Sequence, residues 1–217
     1  MLQSTGPLRS IVIDGKRDQA KVLAWTMSGA DFEFRDPHVM DHASVPARLV
    51  FTATGSRWSF NANNSILEAF LTLLPVNSIS TLTTRNDAIL TQAFWVNHAP
   101  RWSSLKRASL ADSTFREFMI TLTDGAPPDG PRLPRLTKLL LVDTTMTPSI
   151  TRYLQVMLIQ RVEQGVPLEM LDLSMSFAGD GDIHLLREIV VNVKEPLRDR
   201  SLKLRHKVPD SWYEDIV

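Results

Sequence analysis

A short apolar pattern recurs along this chain and restricts its fold more than any other feature of the sequence. Leucine occupies the first, fourth and sixth positions of 136–141 and again of 168–173. Consecutive copies start 26 to 39 residues apart, which is the spacing of a structural repeat. Weaker copies, in which other residues replace some of the leucines, begin at Leu8, Ala47, Ile79, Leu105 and Asp199.

The segments between these copies carry apolar residues three or four apart, which is typical of amphipathic helices. Thr147 followed by Pro148 predicts the start of one helix, and Gly165 predicts its end. Asp182 predicts the start of another, whose apolar face would run from Ile183 to Val193. Further helices are expected over 18–27, 64–74, 87–98 and 113–122.

Alternation of strand and helix at this period predicts an α/β fold. The specific expectation is an irregular leucine-rich-repeat-like solenoid, with parallel strands on the concave face and helices on the convex face. The alternative is a doubly wound sheet, whose strands are buried on both faces and therefore read as continuously apolar. Arg107, Lys138 and Asp172 interrupt the apolar strands and favour the solenoid. We expect it to span 1–205, with about six to seven repeats, and 206–217 to form a C-terminal tail.

Side chains at the third, fifth and seventh positions of each copy are expected on the concave face, because alternate residues of a strand point to opposite sides. Apolar residues at such positions indicate a binding patch. Five basic and two acidic residues share this face, so the expected partner is a protein with an acidic segment. The residues predicted to contact it are Leu49, Phe51, Arg85, Arg107, Lys138, Leu140, Met170 and Asp172.

The composition argues against several classes of protein. The 24 basic and 24 acidic residues cancel, so a nucleic-acid partner is not expected. The chain has no cysteine, which excludes a disulfide framework and favours a reducing compartment, the cytoplasm or the nucleus. No secretory signal is visible, and the longest nearly apolar run, 66–76, is too short to span a membrane.

Few residue groups suggest catalysis or metal binding. His38 and His42 are four residues apart with Asp41 between them, which is the arrangement of a zinc-protease helix, but Pro37 and Pro46 leave it little room. Solvated loop histidines are the simpler interpretation, and a metal-dependent hydrolase remains a third hypothesis. We therefore predict a non-enzymatic protein without cofactor or metal.

Several longer stretches resemble the fungal F-box proteins whose C-terminal half is a degenerate leucine-rich repeat. These stretches read WVNHAPRW at 95–102 with LKR at 105–107, APPDGPRLP at 126–134, MLIQRVEQGVPLEMLDL at 157–173 and IVVNVKEPL at 189–197. The resemblance implies that the repeats hold a substrate for a cullin ubiquitin ligase, while an F-box grips its Skp adaptor. No leucine- and proline-rich F-box segment is recognised before Leu8, so adaptor binding is expected only if an F-box precedes this chain. The alternative is a stand-alone repeat protein that acts as a scaffold without a ligase role.

Overall fold

The computed structural model describes residues 7–16, 19–26, 49–54, 60–86, 90–123, 131–178 and 183–195. These residues form one eight-stranded sheet and five α-helices. The strands are β1 (Ser10–Lys16), β2 (Gln19–Trp25), β3 (Leu49–Thr54), β4 (Thr81–Asn86), β5 (Arg107–Ala111), β6 (Lys138–Met146), β7 (Met170–Ala178) and β8 (Asn192–Lys194). The helices are α1 (Phe60–Leu73), α2 (Gln92–His98), α3 (Asp112–Thr123), α4 (Pro148–Glu163) and α5 (Leu186–Ile189), with 3-10 turns at Val76–Ser78 and Ala99–Trp102.

The sheet is open and mostly parallel. Its strand order is β3-β2-β1-β4-β5-β6-β7-β8, so β4 lies beside β1, and from β5 onward each strand lies beside the one before it in the sequence. The pairs from β1/β4 to β7/β8 are parallel, whereas β1/β2 and β2/β3 are antiparallel. Helices α2 to α5 follow the strands in turn, and each contacts the next helix. The expected α/β class, with parallel strands and helices, is therefore confirmed.

One backbone hydrogen-bond arrangement repeats at the start of successive parallel strands. The carbonyl oxygen of Arg9 accepts from the amides of Ser80 and Thr81, at 2.8 and 3.1 Å. The carbonyls of Ser80, Lys106 and Thr137 each accept in the same way from two consecutive amides of the next strand. These four residues are the second positions of copies predicted from the sequence, so those copies are structurally equivalent.

In the copies that begin at Leu136 and Leu168, the first, fourth and sixth positions point into the core, as predicted. Leu136, Leu139 and Leu141 are buried together, and so are the equivalent leucines of the copy that begins at Leu168. The helices cover this face of the sheet through apolar side chains such as Phe118 of α3. Burial of these leucines is the main force that holds each repeat against its neighbours.

The ends of α4 are also as predicted. Thr147 caps the helix by accepting a hydrogen bond from the amide of Ile150, and Pro148 occupies the first turn. At the other end, Gly165 has a φ of 73°, and its amide donates to the carbonyl of Val162. Because the Val166 amide also bonds the Arg161 carbonyl, the helix ends in a Schellman motif.

Two sequence predictions about secondary structure are wrong. The helix expected over 18–27 is strand β2, in which Val22 and Ala24 are buried while Lys21 and Leu23 are only half-buried, the alternation of a strand. The helix expected as far as Val193 ends at Ile189. Val193 instead lies in β8, opposite Leu171 of β7.

The copies predicted at Ala47 and Asp199 have different outcomes. The strand in the first is β3, which is antiparallel to β2 at the edge of the sheet and is therefore not a member of the parallel series. The second lies outside the described residues, as does the tail at 206–217.

Candidate protein-binding face

The third and fifth repeat positions form rows across one face of the sheet. Alternate residues along each strand enter the core, so the residues between them lie on the other side, which we call the second face. Strand pairing places Thr81, Arg107, Lys138, Met170 and Asn192 side by side in one row. The neighbouring row contains Val12, Thr83, Ser109, Leu140, Asp172 and Lys194.

The centre of the second face is cationic. At the third, fifth and seventh repeat positions, β4, β5 and β6 carry Arg85, Arg107 and Lys138 and no carboxylate. All three basic side chains are half-buried. Arg85 lies opposite Asp14 of β1, whereas Arg107 lies directly opposite Lys138 on the adjacent strand. The structure therefore places the three basic residues predicted from the sequence on one face and pairs Arg107 with Lys138, whereas Arg85 lies four residues along β4 from Thr81, the register partner of Arg107.

A buried hydroxyl adjoins the cationic pair. Ser109 follows Arg107 by two residues on the same face and is only 2% exposed. Within the described part of the chain, its Oγ is a buried atom with no hydrogen-bond partner. Burial of an unpaired hydroxyl is costly, so Ser109 lowers the stability of this part of the sheet.

Asp172, the predicted acidic residue of the second face, already accepts hydrogen bonds from residues of this chain. Asp172 is 5% exposed, and its Oδ1 accepts from the Ser174 amide at 3.0 Å and from the Ser174 hydroxyl at 2.6 Å. Its Oδ2 accepts from Lys194 Nζ at 2.7 Å. These bonds satisfy the carboxylate within the protein, and the bond from Lys194 connects β7 to β8.

The apolar part of the predicted patch needs correction. Leu140 lies on the second face but is only 4% exposed, so it does not present the accessible apolar surface that was expected. Phe51 lies on the opposite side of the sheet, where its ring stacks on Phe70 of α1 with the ring centroids 3.9 Å apart. Leu49 is two residues before Phe51 and pairs with the core residue Ala24. Met170 is half-buried on the second face, as predicted.

Lys194 is a second-face residue that the sequence interpretation missed. The predicted helix ran through this segment, and the final copy was placed at Asp199 instead. A usable signal was present, because Val190 and Val193 repeat the spacing of Leu168 and Leu171. The structure confirms this equivalence by pairing Leu171 with Val193.

Arg161 of α4 is a buried cation away from the second face. It is 1% exposed, and its guanidinium donates to the carbonyls of Arg132, Leu133 and Leu136, at 3.2, 3.2 and 2.9 Å. Burial lowers the pKa of Arg161 to about 10, which leaves the side chain charged at neutral pH. Its acceptors are all backbone carbonyls, so it serves to hold the segment before β6.

Neither the tryptophan pair Trp95 and Trp102 nor the His38 and His42 pair provides a site among the described residues. Trp95 and Trp102 are fully buried, and Trp95 packs edge-on against Phe118 of α3, so these tryptophans belong to the core. His38 and His42 lie outside the described residues. Within the ranges that are described, no three His, Cys, Asp or Glu side chains cluster as metal ligands would.

Comparison with protein-family models, with curated proteins and with solved structures finds no match. No described helix is long and apolar enough to cross a bilayer.

Proposed function

We propose that this chain is a leucine-rich-repeat-like solenoid that binds a protein partner across its second face. The observation that supports this most is the in-register row from Thr81 to Asn192. Parallel strands in register place equivalent side chains about 4.8 Å apart, so successive repeats present a regular row to a partner. Repeat proteins commonly use such extended surfaces for binding.

The family resemblance extends this proposal. If it holds, the chain is the substrate-recruiting region of an F-box-type ubiquitin-ligase component, and the partner on the second face is the protein to be ubiquitinated. A stand-alone scaffold protein that uses the same face without a ligase is the second candidate. The strand geometry supports protein binding in either case, whereas the ligase role depends on the resemblance alone.

Site-specific photo-crosslinking tests the binding proposal. A photoreactive residue replaces Met170, which is half-buried on the second face, and in a matched chain it replaces Tyr153, which is 60% exposed on α4. We expect a discrete protein adduct from position 170 and none of the same mass from position 153. Equal adducts from both positions, or none from position 170, would refute binding at the second face.

A separate experiment tests the ligase role. The complete product of the gene is expressed with an affinity tag, and co-purification of Skp adaptor is measured. The ligase proposal expects stoichiometric adaptor. Without adaptor, but with a crosslinked partner at position 170, the scaffold candidate would stand instead.

A further inference from the structure

We infer that α4 is the contact surface of a symmetric dimer, in which two copies of this chain pack antiparallel along the outer side of this helix. The basis is an exposed row of residues on α4 that is complementary to itself when the helix direction is reversed. Because α4 packs on the core side of the sheet, this contact is separate from the partner binding proposed for the second face.

The outer side of α4 carries an apolar patch. The inner side of the helix is buried in the core, for example through Leu158. Four large apolar side chains of the same helix are nevertheless 41% to 60% exposed: Tyr153, Val156, Ile159 and Val162. Residues three apart are neighbours on a helix surface, so these four side chains form one continuous patch. Contiguous exposed apolar patches mark interaction sites, whereas single exposed apolar residues do not.

A straight seam of exposed residues runs along the centre of this outer side. Its members are Arg152, Val156, Ile159 and Glu163. Their spacing of four, three and four residues keeps them on one side of an α-helix, as in the seam of a coiled coil. Tyr153 and Val162 flank the seam, one on each side, and widen its apolar part.

Reversal of the helix places a complementary residue opposite each member of the seam. In an antiparallel pair of helices related by a two-fold axis, Val156 of one copy faces Ile159 of the other, and Arg152 faces Glu163. Both pairs are centred between positions 157 and 158, so a single two-fold axis satisfies both. A parallel pair would instead place each charge beside its own copy. Charge complementarity therefore selects the antiparallel arrangement, with apolar pairs at the centre and ion pairs at the two ends.

The size of the contact predicts a reversible dimer. α4 has 16 residues and is therefore about 24 Å long. A contact of this length and about 10 Å width is well below the roughly 1,200 Å² in total that stable interfaces bury. We therefore expect a dissociation constant of about 10 to 100 µM. Since α4 and the second face are on opposite sides of the sheet, the dimer would carry two open second faces and bind a partner with two sites more tightly.

Analytical ultracentrifugation over about 5 to 300 µM tests for the dimer. The wild-type chain should show a reversible monomer-dimer equilibrium. Ile159→Glu places a carboxylate in the apolar centre of the contact and should weaken association at least about tenfold. The control, Leu73→Glu, adds the same charge at an 83% exposed side chain of α1 and should change the dissociation constant less than about twofold. A wild-type chain that stays monomeric, or equal losses in the two variants, would overturn the inference.

Charge reversal tests the antiparallel pairing. Arg152→Glu alone and Glu163→Arg alone each create like-charge pairs at both ends of the dimer and should weaken association about fivefold. In an equimolar mixture of the two variants, the mixed dimer has opposite charges at both ends, so association should recover to the wild-type strength. Arg116→Glu, at an exposed residue of α3, is the control and should leave association unchanged. A mixture that associates no better than its components contradicts the antiparallel arrangement.

A photoreactive residue at position 153 identifies what occupies the patch. Because Tyr153 flanks the seam, the crosslinked product should have twice the mass of the chain. An adduct with a different protein, or a crosslink within one chain only, would place another occupant on α4 and overturn the inference. The adduct from position 170 should persist in Ile159→Glu, so failure of the dimer and failure of partner binding at the second face are distinguishable.

Discussion

Arg161 of α4 donates a hydrogen bond at 3.2 Å to the carbonyl of Leu133, which is 28 residues earlier in the chain. Leu133 has a φ of 52°, a left-handed conformation that is unfavourable for leucine. Its side chain is nevertheless buried in the core. The guanidinium therefore ties an unusual backbone turn, just before β6, to the helix that follows that strand.

Replacement of this arginine should be costly. Arg161→Met leaves three carbonyls without the donors that they have now, so we expect the free energy of unfolding to fall by about 3 kcal/mol. Urea denaturation measures this change. Arg152→Met on the exposed side of the same helix is the control and should change stability by less than about 0.5 kcal/mol. Similar losses in the two variants would show that the carbonyl bonds of Arg161 add little.

The lowered pKa of Arg161 determines how this effect varies with pH. The folded state loses this proton near pH 10, before the unfolded state does, so the contribution of Arg161 to stability rises with pH only in the alkaline range above that value. Below it, both states are protonated. The stability difference between the wild type and Arg161→Met should therefore be constant from about pH 6 to about pH 8.5. A slope in that interval would contradict the assignment.

Gly165 offers a test of backbone conformation alone. Its φ is 73°, and a Cβ added there would meet no atom within 4 Å, so substitution brings strain without a clash. Gly165→Ala should destabilise the protein by about 1 kcal/mol, and Gly165→Asn by less, because asparagine tolerates the left-handed region better. Thermal unfolding of the two variants checks this order. Equal stability of all three chains would show that the helix end relaxes.

The parallel part of the sheet could be predicted because each of its strands carries the same short apolar pattern. In each copy, such as Leu136 to Leu141, buried and non-core residues alternate within a few positions, and the same phase recurs in the next copy. That phase places the third and fifth positions on the second face. It was enough to identify Arg85, Arg107 and Lys138 as members of one surface.

The N-terminal strands could not be predicted in the same way, because β2 and β3 pair antiparallel and do not follow the repeat. Residues 19–25 are compatible with either a helix or a strand, and only antiparallel pairing with β1 decides between them. For β3, pairing of Phe51 with Val22 sets which side chains face the core. The repeat pattern that begins at Ala47 predicts core-facing positions in β3 that are one residue away from the observed ones. A shift of one residue moves every side chain of a strand to the other face.

The sequence pattern also could not predict which side chains of the second face are buried. Leu140 was predicted to be accessible because of its position in the pattern, yet it is buried although it lies outside the main core cluster. Accessibility depends on the size and placement of neighbouring side chains, which a one-dimensional pattern does not contain. The candidate site is therefore more polar than the sequence suggested.

Glu68 of α1 and Thr91 provide a cooperative link that a double-mutant cycle can measure. Glu68 Oε1 accepts from the Thr91 amide at 3.2 Å and from its hydroxyl at 2.7 Å, while that hydroxyl caps α2 by accepting from the Phe94 amide. Thr91→Ala should cost about 1 to 2 kcal/mol. Its coupling energy with Glu68→Ala should be about 0.5 to 1 kcal/mol. Urea denaturation of the four chains gives both values.

Thr147 is the matched control for that cycle. Its hydroxyl caps α4 by accepting from the Ile150 amide at 3.3 Å, and this is the side-chain bond that the structure shows for it. Thr147→Ala should therefore cost less than Thr91→Ala, and its coupling with Glu68→Ala should be zero within error. Comparable coupling for both threonines would mean that Glu68 acts through the general stability of the protein.

Asp172 and Lys194 should contribute unequally to the β7/β8 end of the sheet. The Asp172 side chain is 8% exposed and accepts three hydrogen bonds, whereas the Lys194 side chain is 52% exposed and donates one of them. Asp172→Ala removes the only acceptor of all three bonds and should lower the free energy of unfolding by about 2 kcal/mol. Lys194→Met removes one solvent-screened ion pair and should cost less than about 1 kcal/mol. Urea denaturation at low and high salt separates the two effects, because only the Lys194 contribution should shrink as salt rises. If Lys194→Met proves as costly as Asp172→Ala, the ion pair rather than the Ser174 bonds holds this carboxylate in place.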